Sequence, residues 1–530
     1  MSLEAMVPEV FAPDGVLARA DGHFQPRDGQ TQMAIAVAQT ITEGGALVVE
    51  AGTGVGKTFA YLVPALLSGE RVLLSTATKA LQDQLFARDL PRLAQILGLP
   101  VRMALLKGRA SYLCLHRMEQ ARQDAQALDR GVARVLAKVE DWSRQTVSGD
   151  LAELTGLDER SPVIPLLTST RENCLGSSCP RFRDCHVHRA RREALAADIV
   201  VINHHLFFAD VAVRESGMAE LLPTVRVVVF DEAHQINETG VQFLGTQIST
   251  GQWLDFARDL LIAGLQHARG LADWTGLAQL LELSARDLRL VVDTAAFQGL
   301  NGISGGGRLR WTEEAPEGVS GAVWQSALRA LASACAQALE ALDTVSEMSP
   351  DMERLYERGS ALLARLARFS GPCQADAVRW LDVGNQLRLI ESPLDIADAM
   401  RTRILASPAE TSDGEAWPEE PGASAGRAWI FTSATLGADE ALTWFTERAG
   451  LTDARILRVA SPFDYARQAA LYVPRHLPSP ADPSHSRSVA DWVALAAEPL
   501  GGRTLVLTTT LKALRTIGDA LKARWQASGA

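Results

Sequence analysis

A short stretch near the N-terminus constrains the fold of this chain more than any other feature. The residues VVEAGTGVGKTFAYLVPAL at 48–66 combine an apolar run, a glycine-rich loop and a helix-like segment. Glycines let backbone N–H groups turn inward, so such a loop can bind phosphates at the N-terminus of the helix that follows it. The pattern predicts an α/β domain in which a buried strand leads into a phosphate-binding loop.

Two side chains at the end of this loop fit a nucleotide and its metal ion. Lys57 would reach the β- and γ-phosphates of ATP, and the Thr58 hydroxyl would bind Mg²⁺. The strict pattern begins with Gly, whereas Ala51 occupies that position here. The alternative is a glycine-rich turn that binds nothing, but the apolar strand and the Lys-Thr pair favour ATP. The residues predicted to contact the nucleotide are Ala51, Gly52, Thr53, Gly54, Val55, Gly56, Lys57 and Thr58.

A second motif, VVVFDEAHQI at 227–236, supplies the acidic residues that hydrolysis of ATP requires. Asp231 follows an apolar strand and can hold Mg²⁺ through water. Glu232 is placed to polarise the attacking water, and His234 would sense the γ-phosphate and couple it to the next domain. An acidic helix N-cap after a strand is the alternative, and the presence of the phosphate loop argues against it.

A third motif, FTSATL at 431–436, places Thr432, Ser433 and Thr435 at the end of another apolar strand. Hydroxyl groups there can bridge the DEAH residues to bound nucleic acid. Turns rich in Ser and Thr are common, so this motif is a weak signal by itself.

Short apolar runs alternate with helix-like segments, which predicts a parallel sheet covered by helices on both faces. Residues from about 240 to 405 have helical periodicity, apart from the loop GLNGISGGGR, and end in an acidic Pro/Gly/Ser linker. The runs predicted as strands are ALVVE at 46–50, RVLLST at 71–76, DIVVIN at 198–203, VRVVVF at 225–230, AWIFTS at 428–433, ILRVAS at 456–461, QAALYVP at 468–474 and RTLVLTT at 503–509.

Four of the six cysteines lie between the phosphate loop and DEAH, and they are Cys114, Cys174, Cys179 and Cys185. Clustered cysteines in a protein without a signal peptide are more often metal ligands than disulfides. Their loose spacing suits a [4Fe–4S] cluster at least as well as structural zinc, which favours pairs two to four residues apart. Thiols without a metal are the third alternative. Cys335 is predicted to be a core residue and Cys373 to be incidental.

Composition is that of an ordinary globular protein, with 47% hydrophobic residues, 22% charged residues and a net charge of −11. The N-terminus lacks the basic and apolar regions of a signal peptide, and no run approaches the length of a membrane span, so a cytoplasmic protein is expected. The net charge argues against nonspecific binding of nucleic acid by the whole surface, but allows a local basic channel.

The motifs together resemble the XPD/DinG family of superfamily 2 iron–sulfur DNA helicases, in its bacterial branch. FAPDGVLARA, STATKALQDQLFARDLP, LLKGRASYLC, ENCLGSSCP, VVINHHLFFAD and SPFDYARQA carry the likeness along nearly the whole chain. The resemblance implies a 5′→3′ ATP-dependent DNA helicase of repair or replication that uses ATP, Mg²⁺ and a [4Fe–4S] cluster. It implies single-stranded or forked DNA as partner, with single-stranded-DNA-binding or replication proteins, near the bacterial nucleoid. Arg27 and Gln30 fall where the family recognises adenine.

The resemblance also implies a division into domains. Residues 1–107 begin RecA-like domain 1, residues 108–190 form the iron–sulfur domain, and residues 191–240 continue RecA-like domain 1 with DEAH. Residues 241–405 form a helical arch domain, residues 406–440 are a linker and the return to RecA-like domain 1, and residues 441–530 are an incomplete RecA-like domain 2. The family's E-G-x-D and Q-x-x-G-R-x-x-R motifs do not occur here, so we expect a truncated chain with little turnover alone.

Basic and aromatic residues of the cysteine module are candidates for contacts with DNA, as phosphate ligands or stacking platforms. A solvated basic helix face is the alternative, and the histidine pair at 204–205 is predicted to be structural. Two other functional classes stay open: a zinc-stabilised P-loop ATPase that acts on protein, and a nucleic-acid-binding module without turnover. The DNA candidates are Tyr112, Arg181, Phe182, Arg183, Arg189, Arg191 and Arg192, with His186 and His188 among them.

Overall fold

The computed structural model describes residues 2–123, 130–158, 161–214, 222–299, 307–311, 314–373, 377–406 and 426–528. The chain forms two compact units, Met1–Pro462 and Phe463–Ala530. Most of the predicted glycine-rich loop near residue 300 and nearly all of the acidic linker lie outside the described residues.

A seven-stranded parallel sheet forms the centre of the first unit, which confirms the predicted fold class. Its strands are arranged in the order β11-β1-β10-β5-β2-β4-β3. Successive residues of β1 point to opposite faces, since Val48 belongs to one apolar cluster while Leu47 and Val49 belong to the other. The strands are β1 (Gly45–Ala51), β2 (Val72–Thr76), β3 (Met103–Leu105), β4 (Ile199–Asn203), β5 (Val227–Asp231), β10 (Ala428–Ser433) and β11 (Arg455–Val459).

Helices cover both faces of this sheet, because each face is an unbroken layer of Val, Ile, Leu and Phe that must be buried. The helices of the sheet and its connections are α1 (Leu3–Phe11), α2 (Val16–Ala20), α3 (Asp28–Glu43), α4 (Lys57–Leu67), α5 (Lys79–Gln84), α6 (Leu90–Leu97), α10 (His186–Ala196), α11 (His204–Arg214), α12 (Ile236–Leu244), α17 (Ala397–Ala399) and α18 (Thr443–Thr446).

The cysteine module is inserted between β3 and β4. It contains α7 (Leu115–Gln123), α8 (Arg130–Ser143) and α9 (Ile164–Leu167), followed by two short 3-10 turns. A small apolar cluster that includes Leu113, Val139 and Leu167 holds it together. The module therefore has a modest core of its own beside the larger cores of the sheet.

The insertion after DEAH is mostly helical, as predicted, but it also contains an antiparallel sheet that the sequence analysis missed. Three tryptophans, Trp253, Trp274 and Trp324, are fully buried in its core together with Cys335. This confirms the core assignment of Cys335. The helices are α13 (Thr250–His267), α14 (Trp274–Gly299), α15 (Gly321–Asp343) and α16 (Pro350–Ser370), and the strands, in the order β6-β9-β8-β7, are β6 (Thr246–Ser249), β7 (Gly307–Trp311), β8 (Ala377–Val383) and β9 (Leu387–Pro393).

The structure corrects the expectations for residues after 440. β11, which was expected to open a second domain, pairs in parallel with β1 in the central sheet, so the first unit extends to Pro462. The second unit contains α19 (Tyr465–Gln468), α20 (His485–Ala497) and α21 (Leu511–Ser528). QAALYVP and RTLVLTT are not strands there; apolar runs need a paired neighbour to form a sheet, and Leu471 and Leu505 are exposed.

No helix of the described residues is both long enough and apolar enough to cross a membrane.

Candidate functional site

The phosphate loop has the backbone geometry that its glycines predict. Gly54 and Gly56 have φ values of +88° and +87°, in the left-handed region that side chains disfavour. α4 begins directly afterwards at Lys57, so the N-terminus of that helix faces the loop. This is the arrangement of a phosphate site, in which backbone N–H groups and the helix dipole favour an anion.

Gln30, for which an adenine contact is predicted, lies against the phosphate loop. Its Nε2 donates to the carbonyl oxygen of Gly56 at 2.9 Å, and a Cβ on Gly56 would approach Nε2 to 2.3 Å. Oε1 of Gln30 is buried and has no hydrogen-bond partner within the described part of the chain. Arg27 occupies the N-cap position of α3 and is partly exposed. Gln30 thus fixes the loop while keeping one acceptor for a ligand.

Asp231 ends β5 and reaches the helix that follows the phosphate loop. The Tyr61 hydroxyl donates to Asp231 Oδ2 at 3.2 Å, and the Glu232 N–H donates to Oδ1 at 3.1 Å. The Thr58 side chain also hydrogen-bonds the Tyr61 hydroxyl. Both predicted magnesium ligands, Thr58 and Asp231, therefore contact the same tyrosine.

Burial and the Glu232 carboxylate raise the pKa of Asp231 from 3.8 to about 6, and the Lys57 ammonium only partly offsets them. The site therefore holds a half-buried carboxylate that favours a compensating cation. Burial and the nearby Asp231 raise the pKa of Tyr61 well above 10, so the phenol stays a donor. Sequence reasoning did not select Tyr61; its position three residues after Thr58, on the same helix face, was the available signal.

Glu232, His234 and Ser433 form a second hydrogen-bonded group. His234 Nδ1 lies 2.9 Å from Ser433 Oγ and 3.3 Å from Glu232 Oε2, and Ser433 Oγ lies 3.4 Å from Glu232 Oε2. Glu232 has a φ of +55°, which turns its backbone away from the strand direction. The DEAH and FTSATL motifs are thus joined by side chains.

Strand order brings the three motifs together, because β1, β10 and β5 are neighbours and end at the same edge. Thr432 pairs with Asp231 and Ser433 with Glu50 in the sheet register. Thr432 is fully buried and its hydroxyl has no partner among the residues the structure describes, whereas Thr435 is exposed. Among the described residues, Ser433 is the predicted coupling residue whose side chain contacts DEAH, whereas Thr432 is paired with Asp231 through the sheet.

The four cysteines of the module lie close enough to influence one another. Burial raises the pKa of the Cys114 thiol to about 11, with contributions from Cys179, Cys174 and Cys185, and burial also raises the pKa of Cys179. Cys174 and Cys179 flank one 3-10 turn, and Cys185 precedes α10. In the described ranges, no three His, Cys, Asp or Glu side chains are placed to hold one metal ion.

The predicted DNA contacts divide into accessible and inaccessible residues. Arg181 pairs with Glu119, Phe182 packs on the His188 ring with centroids 4.2 Å apart, and Arg183 is exposed. Tyr112 is 4% exposed and accepts a hydrogen bond from the Lys107 N–H at 3.0 Å. A buried phenol cannot stack on a base, so the prediction for Tyr112 is wrong.

The histidine pair is split between core and surface. His204 is fully buried, its Nδ1 lies 2.7 Å from Ser75 Oγ, and burial lowers its pKa to about 3. It is therefore neutral and inaccessible to DNA, in agreement with a structural role. His205 is exposed and packs edge-on against Phe243.

Comparison with known proteins identifies the family. The DEAD/DEAH box helicase family matches residues 31–139. The ATP-dependent DNA helicase YoaA of Escherichia coli is 38% identical over 525 residues, which cover 97% of this chain and 76% of that protein. The chain belongs to the YoaA/DinG helicase family.

A second relative agrees with this assignment and confirms the resemblance carried by the motifs. The ATP-dependent helicase DinG of Mycobacterium tuberculosis is 32% identical over 570 residues, covering 99% of this chain and 76% of that protein. A solved XPD helicase structure has a TM-score of 0.45 and 14% identity, covering 94% of this chain and 74% of that chain.

Proposed function

We propose that this chain acts as an ATP-dependent DNA helicase in DNA repair or replication. The observation that carries the proposal is the convergence of three motifs at one edge of the sheet, with His234 Nδ1 2.9 Å from Ser433 Oγ. That contact connects the residues that would activate water with a turn that can touch nucleic acid. Family membership supports the same activity, and 5′→3′ polarity is the direction that the resemblance implies.

In this proposal the phosphate loop binds the phosphates of ATP and Lys57 compensates their charge. Thr58 and Asp231 would hold Mg²⁺, which would neutralise charge on the phosphates. Glu232 would take a proton from the attacking water, and His234 would pass the state of the site to Ser433. Gln30, with its buried free acceptor, would recognise the adenine amino group, and Arg27 would lie beside it.

Binding of a fluorescent ATP analogue by this chain tests the proposal, and DNA-stimulated hydrolysis tests it in a protein that also carries the family's arginine motif. Lys57→Ala should weaken binding of the analogue, because it removes a cation from the phosphate site. Glu232→Gln should keep binding and lose hydrolysis, because it keeps the shape of the side chain without the base. Lys512→Ala, at an exposed lysine, is the matched control. Hydrolysis that survives in Glu232→Gln would contradict the role of Glu232.

We further propose that Cys114, Cys174, Cys179 and Cys185 hold a [4Fe–4S] cluster. Their mutual influence on thiol ionisation supports a shared site, and four cysteines are the usual ligand set of this cluster. The cluster would supply a rigid support for the module, whose own core is small. Arg181, Phe182 and Arg183 beside it would contact DNA.

Iron content and the visible spectrum of anaerobically purified protein test the cluster. A broad band near ~400 nm identifies iron–sulfur, and zinc without that band would favour the zinc alternative. Cys185→Ser should lose iron and make the module sensitive to protease. Cys373→Ser, at an exposed cysteine outside the module, is the control. Full iron retention in Cys185→Ser would remove Cys185 from the ligand set.

The domain arrangement that we propose follows the family, with one change. Two parts of the first unit, up to residue 107 and from 191 to 240, form a RecA-like domain with β10 and β11. The iron–sulfur domain at 108–190 and the arch domain at 241–405 are inserted into it. Residues 463–530 belong to the second RecA-like domain, whose start is moved from 441 because β11 lies in the first sheet.

A further inference from the structure

Glu50 is the penultimate residue of β1 and directly precedes the phosphate loop. A charged side chain is unexpected there, because the phosphates that the loop would bind are also negatively charged. Its side chain is only 14% exposed. Oε2 accepts the backbone N–H groups of Leu436 at 2.7 Å and Gly437 at 3.1 Å. These two residues form the turn directly after Ser433 and Thr435, so one carboxylate oxygen joins the phosphate-loop strand to the FTSATL turn.

Arg458 in β11 completes the arrangement. Its Nε and Nη2 donate to Glu50 Oε1 at 3.1 and 2.8 Å. Its Nη1 also donates to the carbonyl oxygens of Ala438 and Asp439, at 3.4 and 3.2 Å. The segment 436–439 is therefore held on one side by the carboxylate and on the other by the guanidinium, and we call Glu50, Arg458 and this segment the turn clasp.

The charge of Glu50 indicates that the turn clasp does not serve to bind phosphate. Burial alone would raise the pKa of Glu50, but the two N–H donors and Arg458 outweigh it and lower the pKa, so the carboxylate is charged. A negative charge beside a loop that binds phosphates disfavours the ligand. A neutral glutamine would be better for nucleotide affinity and could still accept a hydrogen bond.

The register of the sheet connects the turn clasp with both the phosphate loop and the DEAH motif. Glu50 pairs with Ser433 on one side and Arg458 on the other, so the ends of the three strands are held in one register. Ser433 contacts His234, which belongs to the hydrolysis motif. A shift of the turn at 436–439 would therefore reach the phosphate loop through Glu50 and the DEAH motif through Ser433.

We propose that Glu50 is a positioning residue that couples nucleotide binding to DNA binding, by tying the turn at 436–439 to the strand that carries the phosphate loop. The inference rests on the proposed helicase function, since it concerns communication between the ATP and DNA sites of that enzyme. Glu50 touches neither ligand; it acts through the turn and through Arg458.

The test is the ratio of dissociation constants of a fluorescent ATP analogue without and with saturating single-stranded DNA. Coupling of this kind is typically about 5- to 150-fold. In Glu50→Gln we expect the ratio to fall at least about threefold toward one, while affinity without DNA stays the same or improves. Glu43→Gln is the matched control, because Glu43 pairs with Arg455 of the same strand β11 but is 69% exposed.

Distinct outcomes separate the inference from the proposed function. A wild-type ratio of one would refute coupling itself, and the inference would fall with it. A normal ratio in Glu50→Gln, with coupling intact in the wild type, would overturn the inference alone. Weaker nucleotide binding without DNA would also overturn it, since that is the mark of a purely structural role.

A second variant keeps the test decisive if Glu50→Gln does not fold. Arg458 is 40% exposed, so Arg458→Gln removes its bonds to the turn and to Glu50 without opening the core. Like Glu50→Gln, it should move the ratio of dissociation constants without and with DNA toward one. An unchanged ratio in a folded Arg458→Gln protein would contradict the turn clasp.

Discussion

Asp231→Asn should stabilise the free protein while removing a predicted magnesium ligand. The pKa of Asp231 is raised from 3.8 to about 6, a shift of about two units, and each unit corresponds to about 1.4 kcal/mol. The ionised carboxylate therefore costs the fold about 3 kcal/mol at neutral pH. Asparagine keeps the shape: its amide oxygen can accept the Glu232 N–H, and its amide nitrogen can donate to the Tyr61 hydroxyl oxygen, so the contact with Tyr61 reverses direction while the charge is removed.

The size of this stabilisation depends on pH. A carboxyl whose folded pKa exceeds its unfolded pKa favours folding at low pH, and this contribution is lost as pH rises through about 6. The advantage of Asp231→Asn should therefore be small at pH 4 and complete above about pH 7. The assay is the melting temperature without nucleotide across this range, where about 3 kcal/mol corresponds to a rise of several degrees.

Two comparisons make the result decisive. Asp439→Asn changes an exposed carboxylate whose pKa is lowered by the Thr443 backbone N–H, so it should give no such stabilisation. Mg²⁺ with an ATP analogue should raise the melting temperature of the wild type more than that of Asp231→Asn, because the cation compensates the half-buried charge. A lower melting temperature for Asp231→Asn at pH 8, or a difference that does not vary with pH, would refute the reasoning.

Two further substitutions test the geometry around the nucleotide. Gly56→Ala should abolish binding of the ATP analogue, because φ is +87° and the new Cβ would approach Gln30 Nε2 to 2.3 Å; Gly22→Ala, where a Cβ meets open space, should bind normally. Tyr61→Phe removes a hydrogen bond to the Asp231 carboxylate, so the pKa of Asp231 should rise further. The midpoint of Mg²⁺-dependent analogue binding should then move to higher pH, and an unchanged midpoint would show that the 3.2 Å contact has no influence.

The central strands were predictable because both faces of the sheet are buried, which produces continuous Val, Ile and Leu runs. β3 was missed because it has only three residues, Met103–Leu105, at the edge of the sheet. The antiparallel sheet of the insertion was missed although β7 carries a readable signal. Leu309 and Trp311 are buried while Arg308 and Arg310 alternate with them, as expected for a strand with one face on a core.

The motif residues of the site were predictable because each lies next to its motif partner along the chain. The residues that hold them in place were not, since their contacts join distant positions. Tyr61 and Asp231 are 170 residues apart in sequence, and Glu50 and Leu436 are 386 apart. Only the order of β1, β10 and β5 brings these positions together, and strand order is not encoded in any local pattern.

Glu232 has a left-handed backbone conformation, which a residue with a side chain disfavours and which the surrounding sheet supports. A φ of +55° in a residue with a side chain costs on the order of 1–2 kcal/mol. Glycine at this position would remove the strain, but it would also remove the carboxylate that is the proposed base. The contacts with His234 and Ser433 hold the carboxylate in place; Ser433 is the last residue of the neighbouring strand β10, and His234 lies in the 3-10 turn that follows β5. The ends of β5 and β10 therefore support a locally strained backbone that points the proposed base toward His234 and Ser433.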